Sequence, residues 1–145
     1  MFAFPALSIA VDARMFAAAL GPALVAKWFV FWSVGWRLFL AGARQIAQPE
    51  YTAREILRLK SSESHLLVRE LGFGNVALGV LGILSLWLPS WRPAAALAGG
   101  LFYGMAGLSH AYHQQRNRLQ NVAMGSDLFA TVVLLGTCIA TRLGR

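Results

Sequence analysis

Residues 68–88 read VRELGFGNVALGVLGILSLWL, and this stretch decides the class of fold. From Val76 to Leu88 it carries no charge. Its length matches the roughly 20 residues that a helix needs to cross a hydrocarbon core of about 30 Å. The two charges it does hold, Arg69 and Glu70, sit together at its start. Gly72, Gly79 and Gly82 fall near one helical face, the pattern that lets membrane helices bring their backbones together.

Downstream, Leu88-Pro89-Ser90-Trp91-Arg92-Pro93 reads as a tight turn, with Trp91 and Arg92 suited to a membrane interface. Residues 94–113 form a further span, with a second stripe at Gly100, Gly104 and Gly107. Stretches near 122–141 and 20–42 complete the set. The expected fold is therefore all-α, a transmembrane four-helix bundle covering residues 17–145 as one domain. The glycine stripes predict the faces on which its second and third helices pack, with homodimerisation as the rival use.

Composition agrees. The chain has 145 residues, 57% hydrophobic and 13% charged, where a soluble domain carries about 25% charged residues. A net charge of +7 suggests nucleic acid in a soluble protein. Here the basic residues flank apolar spans and form no patch interleaved with aromatics, so no nucleic-acid partner is expected. They meet lipid headgroups and set topology instead. Cys138 stands alone, which leaves no internal disulfide, CxxC pair or Cys-rich metal site. In its apolar span it reads as a small hydrophobe. The first residues lack a basic lead into an apolar run, so a retained N-terminus is expected.

Residues 1–16 are too short to span and read as an interfacial or a disordered segment. Trp28, Trp32 and Trp36 share a helical face, which suits packing or lipid contact, with a cofactor platform as the sharper alternative. In the first linker, Thr52 and Glu55 fit a capping box. A short interfacial helix is expected there, Ile56 and Leu57 inward and Arg54, Arg58 and Lys60 outward. Arg44, Arg54, Arg58, Lys60, Arg69, Arg116 and Arg118 border the first and third linkers. Arg14, Arg92, Arg142 and Arg145, with Lys27, lie on the other side. That balance predicts cytoplasmic linkers and periplasmic termini.

Polar residues of the spans gather towards the linker side. Arg37 and Arg44 lie at the exit of the first span, Glu70 and Asn75 at the entry of the second. His110 and His113 close the third, and Asn121 and Asp127 open the fourth. Ionisable groups in membrane spans are costly enough to mark a site. The sequence therefore predicts one connected polar cluster of these eight residues, anchored by Glu70. Two imidazoles and two carboxylates, His110, His113, Glu70 and Asp127, could form a metal shell, though no HExxH or ExxH motif is present. A proton relay and a purely structural network are the other uses of the same groups. Ser109 adjoins His110, but neighbouring helical residues diverge, and no GxSxG is present.

Several pieces resemble a family of small bacterial four-helix membrane proteins, DoxX-like in layout. They are Ala41-Gly42-Ala43-Arg44-Gln45, Pro49-Glu50-Tyr51-Thr52-Ala53, Arg69-Glu70-Leu71-Gly72-Phe73-Gly74-Asn75, Leu108-Ser109-His110 and Gln120-Asn121. The resemblance spans roughly residues 36–130. It implies a four-helix protein of the bacterial inner membrane and carries over no activity, substrate or cofactor. The function expected is a binding or accessory component with a polar pocket in one leaflet. Its partners are the lipid bilayer and either another membrane protein or a second copy. The rivals are a redox or metal-dependent membrane enzyme, using a metal or quinone, and a small oligomeric transporter. No catalytic residue is assigned and no cofactor is expected.

Overall fold

The structure is a computed structural model and describes residues 3–57, 61, 63–112 and 118–143. Those residues are helical almost throughout, with no strand among them. Helix α1 covers Ala3–Met15 and α2 covers Pro22–Ala47. Then come α3 at Ser64–Leu84, α4 at Arg92–Tyr112 and α5 at Arg118–Leu143. α2, α3 and the Gln120–Thr141 part of α5 are long and apolar enough to cross a membrane. α4, at 21 residues, matches them in length, but its glycines, tyrosines and His110 keep it out of that set.

α2 begins at Pro22, where a fixed φ suits the first turn and the missing N–H is no loss. It occupies the centre of the molecule. Half of its apolar window is buried, against 28% in α3 and 22% in α5. Residues Val30–Trp36 within it form a wider, π-helical stretch. Phe29, Val30, Val34 and Leu38 of α2 meet Ala95, Ala96 and Tyr103 of α4 and Ala130 and Leu134 of α5 in one core.

The glycine stripes do what the sequence predicts. α3 runs antiparallel to α2, with Gly82 against Gly35, Gly79 against Phe39 and Gly72 against Gly42. A Cβ on Gly79 would stand 2.5 Å from the backbone nitrogen of Phe39, so only glycine permits this approach. On α4, Gly100, Gly104 and Gly107 face Leu135, Thr131 and Leu128 of α5. The expected turn between α3 and α4 is present, with Pro89–Trp91 as a single 3-10 turn.

The outside is apolar. Leu97, Leu101, Met105 and Leu108 form an exposed ridge along α4, and Val122, Phe129, Val132 and Ile139 are exposed on α5. Contiguous apolar surface of this extent is rare on soluble monomers and ordinary against lipid.

Two local expectations need correction. Of the two readings of the first residues, interfacial or disordered, the second gives way, because Ala3–Met15 are a helix docked on α2. Asp12 contacts Lys27 and Trp28, Ser8 contacts Trp32, and Phe4 stacks on Trp32, so α1 runs antiparallel alongside α2. In the first linker, the helical run starts at Pro49, so Thr52 lies inside it and caps nothing. Thr52 and Ala53 face inward and Leu57 is exposed, against the expected burial of Leu57, while the side chain of Ile56 lies outside the described residues. Arg54 does point outward, 2.6 Å from Glu50, while Arg58 and Lys60 lie outside the described residues.

Candidate functional site

The central helix places Arg37 directly after its π-helical stretch. Its Nη2 donates to Asp127 Oδ1 at 2.5 Å and to Ser126 Oγ at 3.0 Å, both on α5. The guanidinium carbon lies 4.5 Å from the ring centre of Tyr103 on α4. The Tyr103 hydroxyl in turn donates to the backbone carbonyl of Ser33, inside the π-helical stretch. His110 lies within electrostatic reach of Asp127. Three helices thus converge on one ion pair. Its side chains are 23% exposed at Arg37 and 6% at Asp127. A planar guanidinium stays charged at such a site and can hold a carboxylate, a hydroxyl and an aromatic face together.

This pair sits deeper than its place in the sequence suggests. With a rise of about 1.5 Å per residue, Arg37 is about 15 Å from the Ala47 end of α2 and about 22 Å from the Pro22 end. Two polar atoms around it, Ser33 Oγ and Arg37 Nη1, are buried and without a hydrogen-bond partner among the described residues. The one sits a single helical turn from the other.

The other expected members of the cluster scatter. Asn75 is buried and donates to Gln45 Oε1 at 2.8 Å, about two turns along α2 from Arg37. Its own Oδ1 is also buried and unpartnered. Arg44 stacks on Tyr51 at 3.9 Å. Asn121 is exposed, and His113 lies outside the described residues.

Glu70 is the main correction. It is exposed on α3 and makes no ion pair among the described residues. The helix register explains why. Gly82 and Gly79 bracket the level of Arg37, so Glu70 is about 15 Å further along the axis. It cannot anchor the cluster. The metal shell of Glu70, His110, His113 and Asp127 loses a carboxylate for the same reason, and no group of three metal donors occurs among the described residues.

The Trp stripe has a use that sequence reasoning missed. Trp28 Nε1 donates to Asp12 at 2.9 Å and Trp32 Nε1 to Ser8 Oγ at 3.0 Å, so these two of the stripe's three residues seat α1, while Trp36 packs edge-on against Phe39. Lys27 Nζ completes the contact, 2.5 Å from Asp12. The hydrogen bond from Lys27 holds the Asp12 carboxyl below its ordinary value of 3.8, with burial opposing and Trp28 assisting. A signal existed: Asp12, Arg14 and Lys27 are the only charges before Arg37, so an acid and a base there invite pairing. Tyr103 and Ser126 carried no comparable signal.

A cleft of about 940 Å³ opens at the end of the molecule where α2 and α4 begin and α5 ends. Pro22 and Ala26 of α2, Ala96 and Leu97 of α4 and Cys138 of α5 wall it, and Arg92 stands in its lining. The walls are small side chains, which is why the helices leave space there. Arg92 Nε donates to the Ser85 carbonyl at 3.4 Å, and the guanidinium forms no ion pair among the described residues.

No curated protein and no solved structure matches the chain. The model of a family of unknown function, DUF6790, matches residues 1–142, from α1 to the last turn of α5, and the chain belongs to that family.

Proposed function

We propose that this is a bacterial inner-membrane protein in which α2, α3, α4 and α5 all cross the bilayer, DoxX-like in layout, with the α1–α2 connection and the C-terminal end of α5 on the periplasmic side. It acts as a binding or accessory component, and its polar site is the one around Arg37. α1 dips into the outer leaflet beside α2, its apolar stripe of Phe4, Leu7, Val11 and Met15 turned to lipid.

The observation that carries the reading is the buried Nη1 of Arg37 beside a pair that already neutralises itself. A donor left unpaired in such a place costs about 1–3 kcal/mol. A second carboxylate would bring an uncompensated charge, so a fitting ligand is neutral, offers an acceptor oxygen and enters by parting the helices, since Nη1 is closed off from the surface. A quinone carbonyl is one such group, which is where the redox reading would attach.

Purification in mild detergent tests this. Small molecules extracted from wild type and from Arg37→Lys are identified by mass spectrometry and absorption. A neutral, carbonyl-bearing molecule held by wild type and lost from the Lys variant is the expected result. No retained molecule, together with equal thermal stability across a panel of quinones and neutral amphiphiles, would sink the binding role. Topology is read separately, from reporter fusions after Leu143.

A further inference from the structure

We infer that the cleft between the start of α2, the start of α4 and the end of α5 is a binding site for one anionic phospholipid, its acyl chain against the small-residue walls and its phosphate on Arg92. The inference rests on the membrane reading above but not on the Arg37 site, whose Tyr103 lies about 16 Å along α4 from Arg92.

Three features choose this occupant. The volume, about 940 Å³, lies within the roughly 300–1,000 Å³ of sites that enclose small organic ligands. The walls supplied by Pro22, Ala26, Ala96, Leu97 and Cys138 offer an acyl chain no charge and little polarity. Arg92 supplies the opposite requirement: a partly buried guanidinium whose one hydrogen bond among the described residues, to the Ser85 carbonyl, leaves most of its donors unused. Such a fork matches phosphate and carboxylate alike, and phosphate is the one that bilayer lipids carry at the headgroup level.

The depth is also right. Trp87 and Trp91 are exposed beside Arg92, while Tyr51 and Tyr112 are exposed at the other end. Aromatics of this kind mark the two headgroup levels. From Trp91 to Tyr112 the helix rises about 31 Å, close to the thickness of a hydrocarbon core. Arg92 therefore meets headgroups, and the apolar walls lie on the chain side of it.

Native mass spectrometry of protein taken from vesicles of equal phosphatidylglycerol and phosphatidylcholine tests the site. Wild type is expected to keep a single phosphatidylglycerol, preferred about tenfold over phosphatidylcholine, because both offer a phosphate but the choline cation of the second offsets that charge and is repelled by Arg92. Arg92→Gln should bring the two lipids to parity without changing helix content. Ala140→Trp, which fills the cleft from α5, should release both. Equal retention of the two lipids by wild type overturns the proposal, as does an unchanged preference in Arg92→Gln or a bound apolar molecule in place of phospholipid. Release of the protein from membranes by carbonate would sink the membrane reading itself. Loss of lipid preference in a carbonate-resistant protein sinks the cleft alone.

Discussion

Arg37 is held by a carboxylate and a hydroxyl from α5 and by an aromatic face from α4. Each would be weak in water; together, away from water, they depend on one another. Asp127→Asn leaves the guanidinium buried without its counter-charge and should cost roughly 3–5 kcal/mol of stability in detergent. Arg37→Met combined with Asp127→Leu should cost far less than the two single changes added together, because no charge is then stranded. Additive losses in a denaturant titration would mean that the two residues do not act as a pair. The sequence did mark Arg37, Asp127 and His110 as unusual, since charge inside an apolar run is visible without coordinates. It could not choose their partners. That choice depends on axial depth, and depth depends on where each helix ends and which residues face across. Arg37 was set at the exit of its span, level with Glu70, when α2 in fact continues to Ala47.

Helix pairing was more legible, because a glycine stripe needs no register to reveal a face. Its energetics divide sharply by position. A Cβ on Gly82 would collide with the backbone at Gly35, whereas one on Gly136 would meet nothing within 4 Å. Gly82→Ala should therefore destabilise the α2–α3 pair by about 1–3 kcal/mol. Gly136→Ala should be neutral or stabilising by up to about 1 kcal/mol, through helix propensity alone. Thermal melts of the two variants, which carry the same added methyl, should shift in opposite directions or not at all for the second. The seating of α1 was legible only in the charges of Asp12 and Lys27, because its apolar residues fit both lipid and protein contacts. Asp12 gives it a pH dependence. Its carboxyl is lowered in the folded state, so the contribution of docking is complete above about 3.8 and is lost as pH falls through the lower folded value. Emission from Trp28 and Trp32, with Trp36, Trp87 and Trp91 replaced by Phe, should change on acidification as α1 leaves. Asp12→Asn should show the undocked spectrum at neutral pH; an unchanged spectrum would mean that the aromatic contacts suffice.

On the scale of the whole molecule, α2 touches every other helix and donates the cation of both interior pairs. The two pairs differ in when they can form. Asp12 precedes Lys27 along the chain, so that partner already exists when α2 emerges from the ribosome. Asp127 follows Arg37 by 90 residues. If α2 crosses the bilayer as proposed, it enters with a bare arginine near its middle, at an insertion penalty of about 2.5–3.5 kcal/mol, and it stays under that penalty until α5 arrives. Biogenesis, in this protein, has an unfinished stage. Chains ended after Tyr112 should leave a measurable fraction of α2 uninserted in a glycosylation-mapping assay, Arg37→Leu should restore insertion in those short chains, and full-length protein should need no such help. Membrane quality control that recognises an exposed intramembrane charge would find α2 in any copy whose last helix failed to dock.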